Sequence, residues 1–362
     1  MKVLCIDIGG TLIKYACMGP DAAILSRDTL PTPQSGREAL VDALGGIYAA
    51  NTDTDGIAIS MPGIIDAENG YCVTGGALRY NEGFPLRQAL RERCPAPICI
   101  ENDAKCAALA EAAFGSLKDV SDGLVLLFGT MIGCGIIRDH HLVRGRHHSA
   151  GEVSFIIPRP DKIPDYDNMW GNVCGLPRLC RAYAEKKGLD PDEVDGKTIF
   201  QAVHAGDRDA VTVLDGFTRD IAVQIFNLQT VLDPERVAIG GGISAQPVLI
   251  EYIQRNLDAL YHECPYIVPR AEVVPCRFGN DANLIGALQC FLERNTILYL
   301  KEYVCIPALR AGIQIHTPVL FFHLRSCIPG RTDDTLILFI LRKDDRQVVG
   351  RTGLAGVGIY PL

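Results

Sequence analysis

The stretch IDIGGTLIKY, Ile6 to Tyr15, decides how the rest of the chain is read. An apolar strand beginning at Val3 runs into Asp7 and a Gly pair at Gly9 and Gly10. Thr11 and Lys14 follow as the chain turns strand-like again. Gly-Gly between apolar runs signals a β-hairpin, and a bare hairpin would leave Asp7 an ordinary turn residue. The same hairpin also has a chemical use. Glycines let the backbone approach a ligand and aim its N–H groups at an anion. Thr11 adds a hydroxyl, Lys14 a cation, and Asp7 a carboxylate suited to hydrated Mg²⁺ beside phosphates. The spacing matches neither GxxxxGK(S/T) nor GxGxxG opening a helix, because a strand follows the glycines.

The 362 residues suffice for two domains with sizeable cores, and 48% hydrophobic with 22% charged residues is ordinary globular composition. A net charge of −8 and a pI near 5.5, with no basic stripe, weigh against a nucleic-acid surface. No apolar run approaches the roughly 18 residues of a membrane span, and no export signal opens the chain. The 14 cysteines are scattered, several in apolar strand-like runs such as Cys5 and Cys99. Reduced thiols in a cytoplasmic protein are expected rather than a disulfide framework.

Strands and helices alternate along the chain. KVLCIDIG, IKYACMG and AILSRDTL read as three strands in hairpin succession, REALVDALGGIYAA as a helix, and DGIAISMPGIID as a strand ending at Pro62-Gly63. PICIEN is a strand and DAKCAALAEAAFG an Ala-rich helix. At GLVLLFGTMIGCGIIRD the strand, Gly-rich turn and strand recur. Val211, Leu214, Phe217, Ile221, Ile225, Leu228 and Leu232 recur at helical spacing, and DPERVAIGGGIS then supplies a strand running into three glycines. A β-Gly-β hairpin in each half, each followed by αβ units, implies two related lobes facing each other across a cleft.

The second loop, FGTMIGCGII, with Thr130, Gly133 and Gly135 in its turn, reads either as a simple bulged hairpin or, paired with the first loop, as the other half of a phosphate clamp. The third, with Gly240, Gly241, Gly242 and Ser244, leaves room for a flat base or ribose. In ICIENDAKCAALAEAAFG a strand ends in Glu101-Asn102-Asp103 and a helix begins at once. Asp103 fits a helix N-cap. It fits equally a carboxylate that orients an alcohol nucleophile for phosphoryl transfer. The residues alone leave both open.

Taken in order, IDIGGTLIK, ENDA, GTMIGCGII, AGEVSF and IGGGIS resemble the repressor, open reading frame, kinase (ROK) family of sugar kinases, over roughly residues 1–293. The resemblance implies an α/β fold, the two-lobed ribonuclease-H-like ATPase architecture of actin and hexokinase with a central cleft. It divides the chain into an N-terminal lobe at 1–116 with a return helix at 281–295, a larger lobe at 117–280, and an extension at 296–362. It implies a cytoplasmic homodimer that phosphorylates a sugar hydroxyl (hexose, N-acetylhexosamine or β-glucoside) with ATP and Mg²⁺. Asp7, Gly9, Gly10, Thr11 and Lys14 would form the first phosphate loop, with Asp7 holding Mg²⁺ through water. Thr130, Gly133 and Gly135 would form the second loop, and Gly241, Gly242 and Ser244 would lie by the adenosine. Asp103 matches the catalytic base, and Gly63, Asn102 and Glu152 match sugar contacts.

Several departures qualify the match. Relatives with structural zinc carry GExGH and CxCGxxGCxE, whereas here Phe155, Asn172 and Leu179 stand at three ligand positions and only Cys174 is kept. One thiolate cannot make a four-coordinate zinc site, so the chain resembles the zinc-free branch, some of whose members act on β-glucosides. Arg181 replaces an acidic sugar contact, which counts against glucose itself. Met131 sits in the second loop and is the best support for a catalytically silent sugar-binding protein. A sugar-responsive regulator of the family would carry a helix-turn-helix domain ahead of the first loop, which here begins at residue 7. The tail holds apolar bursts, PVLFFHL and TLILFIL, that fit either short strands or a poorly folding extension.

Overall fold

The computed structural model describes residues 1–163, 165–264 and 269–299, with strands at 320–323, 337–341, 347–352 and 357–361. The hairpin read from IDIGGTLIKY opens a five-stranded sheet. Strands β1 (Val3–Ile8), β2 (Leu12–Met18) and β3 (Ile24–Pro31) form an antiparallel meander. After helix α1 (Arg37–Ala49), β4 (Gly56–Met61) joins β1 in parallel. A small hairpin, β5 (Ile65–Asp66) with β6 (Tyr71–Cys72), and helix α2 (Leu86–Arg91) lead to β7 (Ile98–Asn102), parallel to β4. Helix α3 (Asp103–Phe114) then crosses to the second sheet.

That sheet repeats the first. Its meander is β8 (Gly123–Phe128), β9 (Ile132–Arg138) and β10 (His141–Leu142). Helices α4 (Trp170–Val173), α5 (Leu176–Lys187), α6 (Gly196–His204) and α7 (Arg208–Leu232) precede β11 (Arg236–Gly240), which pairs in parallel with β8. Helix α8 (Pro247–Glu263) and β12 (Glu272–Pro275) follow, and helix α9 (Ala282–Tyr299) returns to the interior. The strand orders, β3-β2-β1-β4-β7 and β10-β9-β8-β11-β12, are the same pattern twice. The architecture is two-lobed α/β.

Strand alternation distributes the core. Leu4, Ile6 and Ile8 of β1 face α1 through Leu40, Val41 and Leu44. Val3 and Cys5 face the opposite layer, where α3 and α9 lie between the sheets and also touch Val125, Ile137 and Ala238. The outer face of the second sheet is covered by α5 to α8. An interlayer helix has to be thin, and α3 is lined with Ala104, Ala107, Ala108 and Ala110. Its seat corrects one expectation: Gly133 and Gly135 are not in the second turn but within β9, directly under α3. A Cβ on Gly135 would stand 2.3 Å from the Ala108 Cβ, and one on Gly133 2.8 Å from the Ala104 Cβ. The turn itself is Gly129-Thr130-Met131.

The long helix expected from Val211 begins earlier, at Arg208. Asp207 caps it by accepting the N–H groups of Asp209 and Ala210 at 2.9 and 3.1 Å. Eleven of the twelve cysteines among the described residues carry free thiols, and Cys99 Sγ lies 3.0 Å from Cys290 Sγ. Among those residues no helix is long and apolar enough to cross a membrane. Residues 293–362 form a separate unit from 1–292. Within it β13 (Leu320–His323), β14 (Ile337–Leu341), β15 (Gln347–Thr352) and β16 (Val357–Pro361) make an antiparallel sheet. The two apolar bursts of the tail thus contain strands, while the stretches between them lie outside the described residues.

Candidate active site

Asp7 ends the central strand β1, with both faces covered, and only 5% of it is exposed. Burial raises its pKa, opposed by Lys14 and by hydrogen bonds. Its Oδ1 accepts from Ser60 Oγ and from Asn283 Nδ2, each at 3.0 Å. The strand register sets Lys14 directly opposite, with Nζ 3.6 Å from Oδ2. The following turn is tight, the Gly9 N–H donating to the Leu12 carbonyl at 3.0 Å. Thr32 Oγ1 donates to the Gly9 carbonyl and Gln34 Nε2 to that of Gly10. Gly10 and Thr11 remain exposed.

At the β7–α3 junction the helix cap falls to the residue before Asp103. Asn102 is the helix cap: its Oδ1 accepts from the Lys105 N–H at 3.0 Å. Its Nδ2 donates to the Gly63 carbonyl and to Asp103 Oδ1, at 3.0 and 2.9 Å. Asp103 is the first helical residue, and the Ala104 N–H donates to its Oδ1 at 2.8 Å. Burial pushes its pKa up to about 6, with the nearby negative charges of Asp7 and Glu152 adding to the rise. Gly63 reaches its position through φ +104, where a Cβ would stand 2.3 Å from the Thr74 carbonyl.

Glu152 arrives from the segment 143–152 that follows β10. Gly151, at φ +89, presses against the Cys134 carbonyl, which a Cβ would approach to 2.4 Å. Glu152 is half-buried; burial raises its pKa while the Lys105 charge opposes the rise. Carboxylates from both halves of the fold thus converge: Asp7 and Asp103 from the first sheet, Glu152 from the second.

The second and third loops sit side by side at the ends of β8 and β11. Gly241 takes φ +92, and a Cβ there would be 2.2 Å from the Phe128 carbonyl. Gly242 has open space around it, and Ser244 Oγ donates to the Gly241 carbonyl at 2.9 Å. Thr130 and Met131 line a cavity of about 490 Å³ shared with Arg159, Lys162, Arg178 and Arg181. The Met131 Cε lies 2.6 Å from where a Cβ on Gly171 would be, so its side chain is turned toward α4.

The former zinc-ligand positions are dispersed in chemistry. Phe155 is 51% exposed and Leu179 1%, the latter inside the core. Asn172 donates to the Tyr166 carbonyl, and burial raises the pKa of the Cys174 thiol. Ser60 and Asn283 on Asp7, and the buried cation Lys105, were not singled out from sequence. Lys105 carried a signal, a lone cation inside an Ala-rich run directly after the carboxylate. Asn81, fully buried with neither amide atom bonded to protein, carried none.

The ROK family model matches residues 3–294. The chain belongs to the ROK family. A β-glucoside kinase of Listeria monocytogenes is 31% identical over 294 residues, 81% of this chain and 98% of that protein. The crystal structure of a ROK family protein from Streptococcus pneumoniae in complex with sucrose is 29% identical with a TM-score of 0.75, covering 82% of this chain and 100% of that one. A ROK family glucokinase from Streptomyces griseus, in complex with glucose and AMPPNP, is 25% identical with a TM-score of 0.68, covering 80% and 98%.

Proposed function

We propose that this ROK chain transfers the γ-phosphoryl group of ATP to a hydroxyl of a sugar, with Asp103 as base. The observation that carries this is the β7–α3 junction: Asn102 caps the helix, so the Asp103 carboxylate is not needed there, and it feels the negative charges of Asp7 and Glu152. The two sheets act as two lobes, 1–116 with the helix 281–295 and 117–280, which close on the substrates. Asn102, Asp103, Glu152 and the Gly63 turn hold the sugar. Asp103 orients the attacking hydroxyl and accepts its proton; a pKa above the usual carboxylate range suits a base working near neutrality.

Gly9, Gly10, Thr11 and Lys14 receive the phosphates on one side and Thr130 on the other, with Gly241, Gly242 and Ser244 beside the adenosine. Gly133 and Gly135 support this loop from beneath as the seat of α3. One buried carboxylate flanked by hydroxyl and amide donors fits Mg²⁺, which is usually held by one or two carboxylates plus phosphates and water. Asp7 would hold it through water, where Mg²⁺ would supply positive charge beside the phosphates.

The substrate class is a substituted or glycosidic sugar. The β-glucoside kinase and sucrose-bound relatives support this class. Arg181 lines the cavity beside Thr130, which includes none of Gly63, Asn102, Asp103 and Glu152, so its guanidinium bears on the phosphate side. The protein works without structural zinc, as a cytoplasmic homodimer that does not bind nucleic acid, in keeping with its acidic charge. An ADP-release assay over hexoses, N-acetylhexosamines and β-glucosides tests this. Turnover of a glycoside above free glucose is expected; glucose clearly best would overturn the substrate class, and no turnover with any sugar would overturn the kinase.

A further inference from the structure

Lysine is rarely fully buried unless its charge is matched, yet Lys105 is 1% exposed and lies two residues beyond Asp103 on α3. Its Nζ donates to the His148 carbonyl at 2.7 Å. His148 sits at φ 60, a conformation a non-glycine residue keeps only when its surroundings hold it there. The same segment is gripped again from the other side of Asp103. The Glu101 carboxylate, fully buried, accepts from Arg144 Nε at 2.7 Å. Within Glu101-Asn102-Asp103-Ala104-Lys105, the outer two residues hold segment 143–152 and the middle pair, Asn102 and Asp103, meets the proposed sugar. An ammonium has three donors, and among the described residues His148 is the hydrogen-bond partner of this one. The Lys105 charge opposes the upward pKa shifts that burial gives Glu152 and Cys134.

We infer that Lys105 is a positioning residue for sugar binding, tethering the segment that carries Glu152 to the helix that carries Asp103. This rests on Glu152 contacting the sugar, as proposed above. The test is a double-mutant cycle on the full chain with Lys105→Met, which keeps the length of the side chain, and Glu152→Gln. Should Lys105→Met not fold, the smaller Lys105→Leu, which likewise lacks a donor for His148, replaces it in the cycle. Loss of a buried charge-assisted contact predicts a sugar KM raised about tenfold or more, with the ATP KM within about twofold. In the Glu152→Gln background the same change should add less than about twofold. Equal rises in both KM values, or a full additive penalty on Glu152→Gln, would overturn the inference while leaving Glu152 in the sugar site. If Glu152→Gln leaves the sugar KM unchanged, the role of Glu152 falls, and that of Lys105 with it.

Discussion

At Asp103 the competing roles now separate cleanly in experiment. Asn102 supplies the cap, so Asp103→Asn should leave the helix intact while removing the proton acceptor. A general base contributes about 10²–10⁴-fold; kcat should fall at least by the lower figure, with nucleotide binding kept within a few-fold. A variant of near-normal turnover would remove Asp103 from the mechanism. Stability moves the other way. Folding raises the Asp103 pKa to about 6, so the folded state holds the proton more tightly than the unfolded chain. The group's stabilising effect is present below the ordinary Asp range and is lost as pH rises through about 6. At neutral pH the Asn variant should therefore melt at the same temperature or higher, measured by calorimetry. The wild-type kcat/KM should fall as pH drops through about 6; a profile flat down to the ordinary Asp range near ~4 would contradict that.

Among the elements, α3 matters most because it joins the sheets and positions the site. Its thinness is matched by glycine on the elements it touches: Gly133 and Gly135 on β9, and Gly286 on α9, where a Cβ would lie 1.6 Å from the Cys106 carbonyl. Gly135→Val should push the helix off the strand and destabilise by about 3 kcal/mol, at the upper end of overpacking costs, read by urea unfolding. Gly242→Ala makes the contrast. Nothing lies within 4 Å of its would-be Cβ, so stability should stay within about 0.5 kcal/mol. Equal losses in the two variants would show that α3 has room to adjust.

For the whole molecule, the family model ends at residue 294 and the compact unit at Leu292. A chain ending at Asn295 should keep its melting temperature and turnover; failure to fold would show that the tail completes the core. Elemental analysis after exhaustive dialysis should find no zinc. One tightly held zinc per chain would mean that ligands other than Phe155, Asn172 and Leu179 are recruited.

The hairpin at Asp7, the repeated strand-glycine-strand pattern and the helix around Val211–Leu232 were legible in the sequence. Turn chemistry and hydrophobic period act over a few neighbouring residues, and nothing distant overrode them. The order of the motifs likewise sufficed for the family. Tertiary structure decided the rest. Gly133 and Gly135 look like turn glycines beside Thr130, and only the arrival of α3 makes them a packing surface. Asn102 and Asp103 are both good caps, and the Gly63 carbonyl, brought from another strand, helps select Asn102. Lys105 reads as an exposed helix residue until segment 143–152, some forty residues on, covers it. Each of these choices rests on contacts between residues far apart in the chain, and local composition does not specify such contacts, even where, as at Lys105, it marks the residue as unusual.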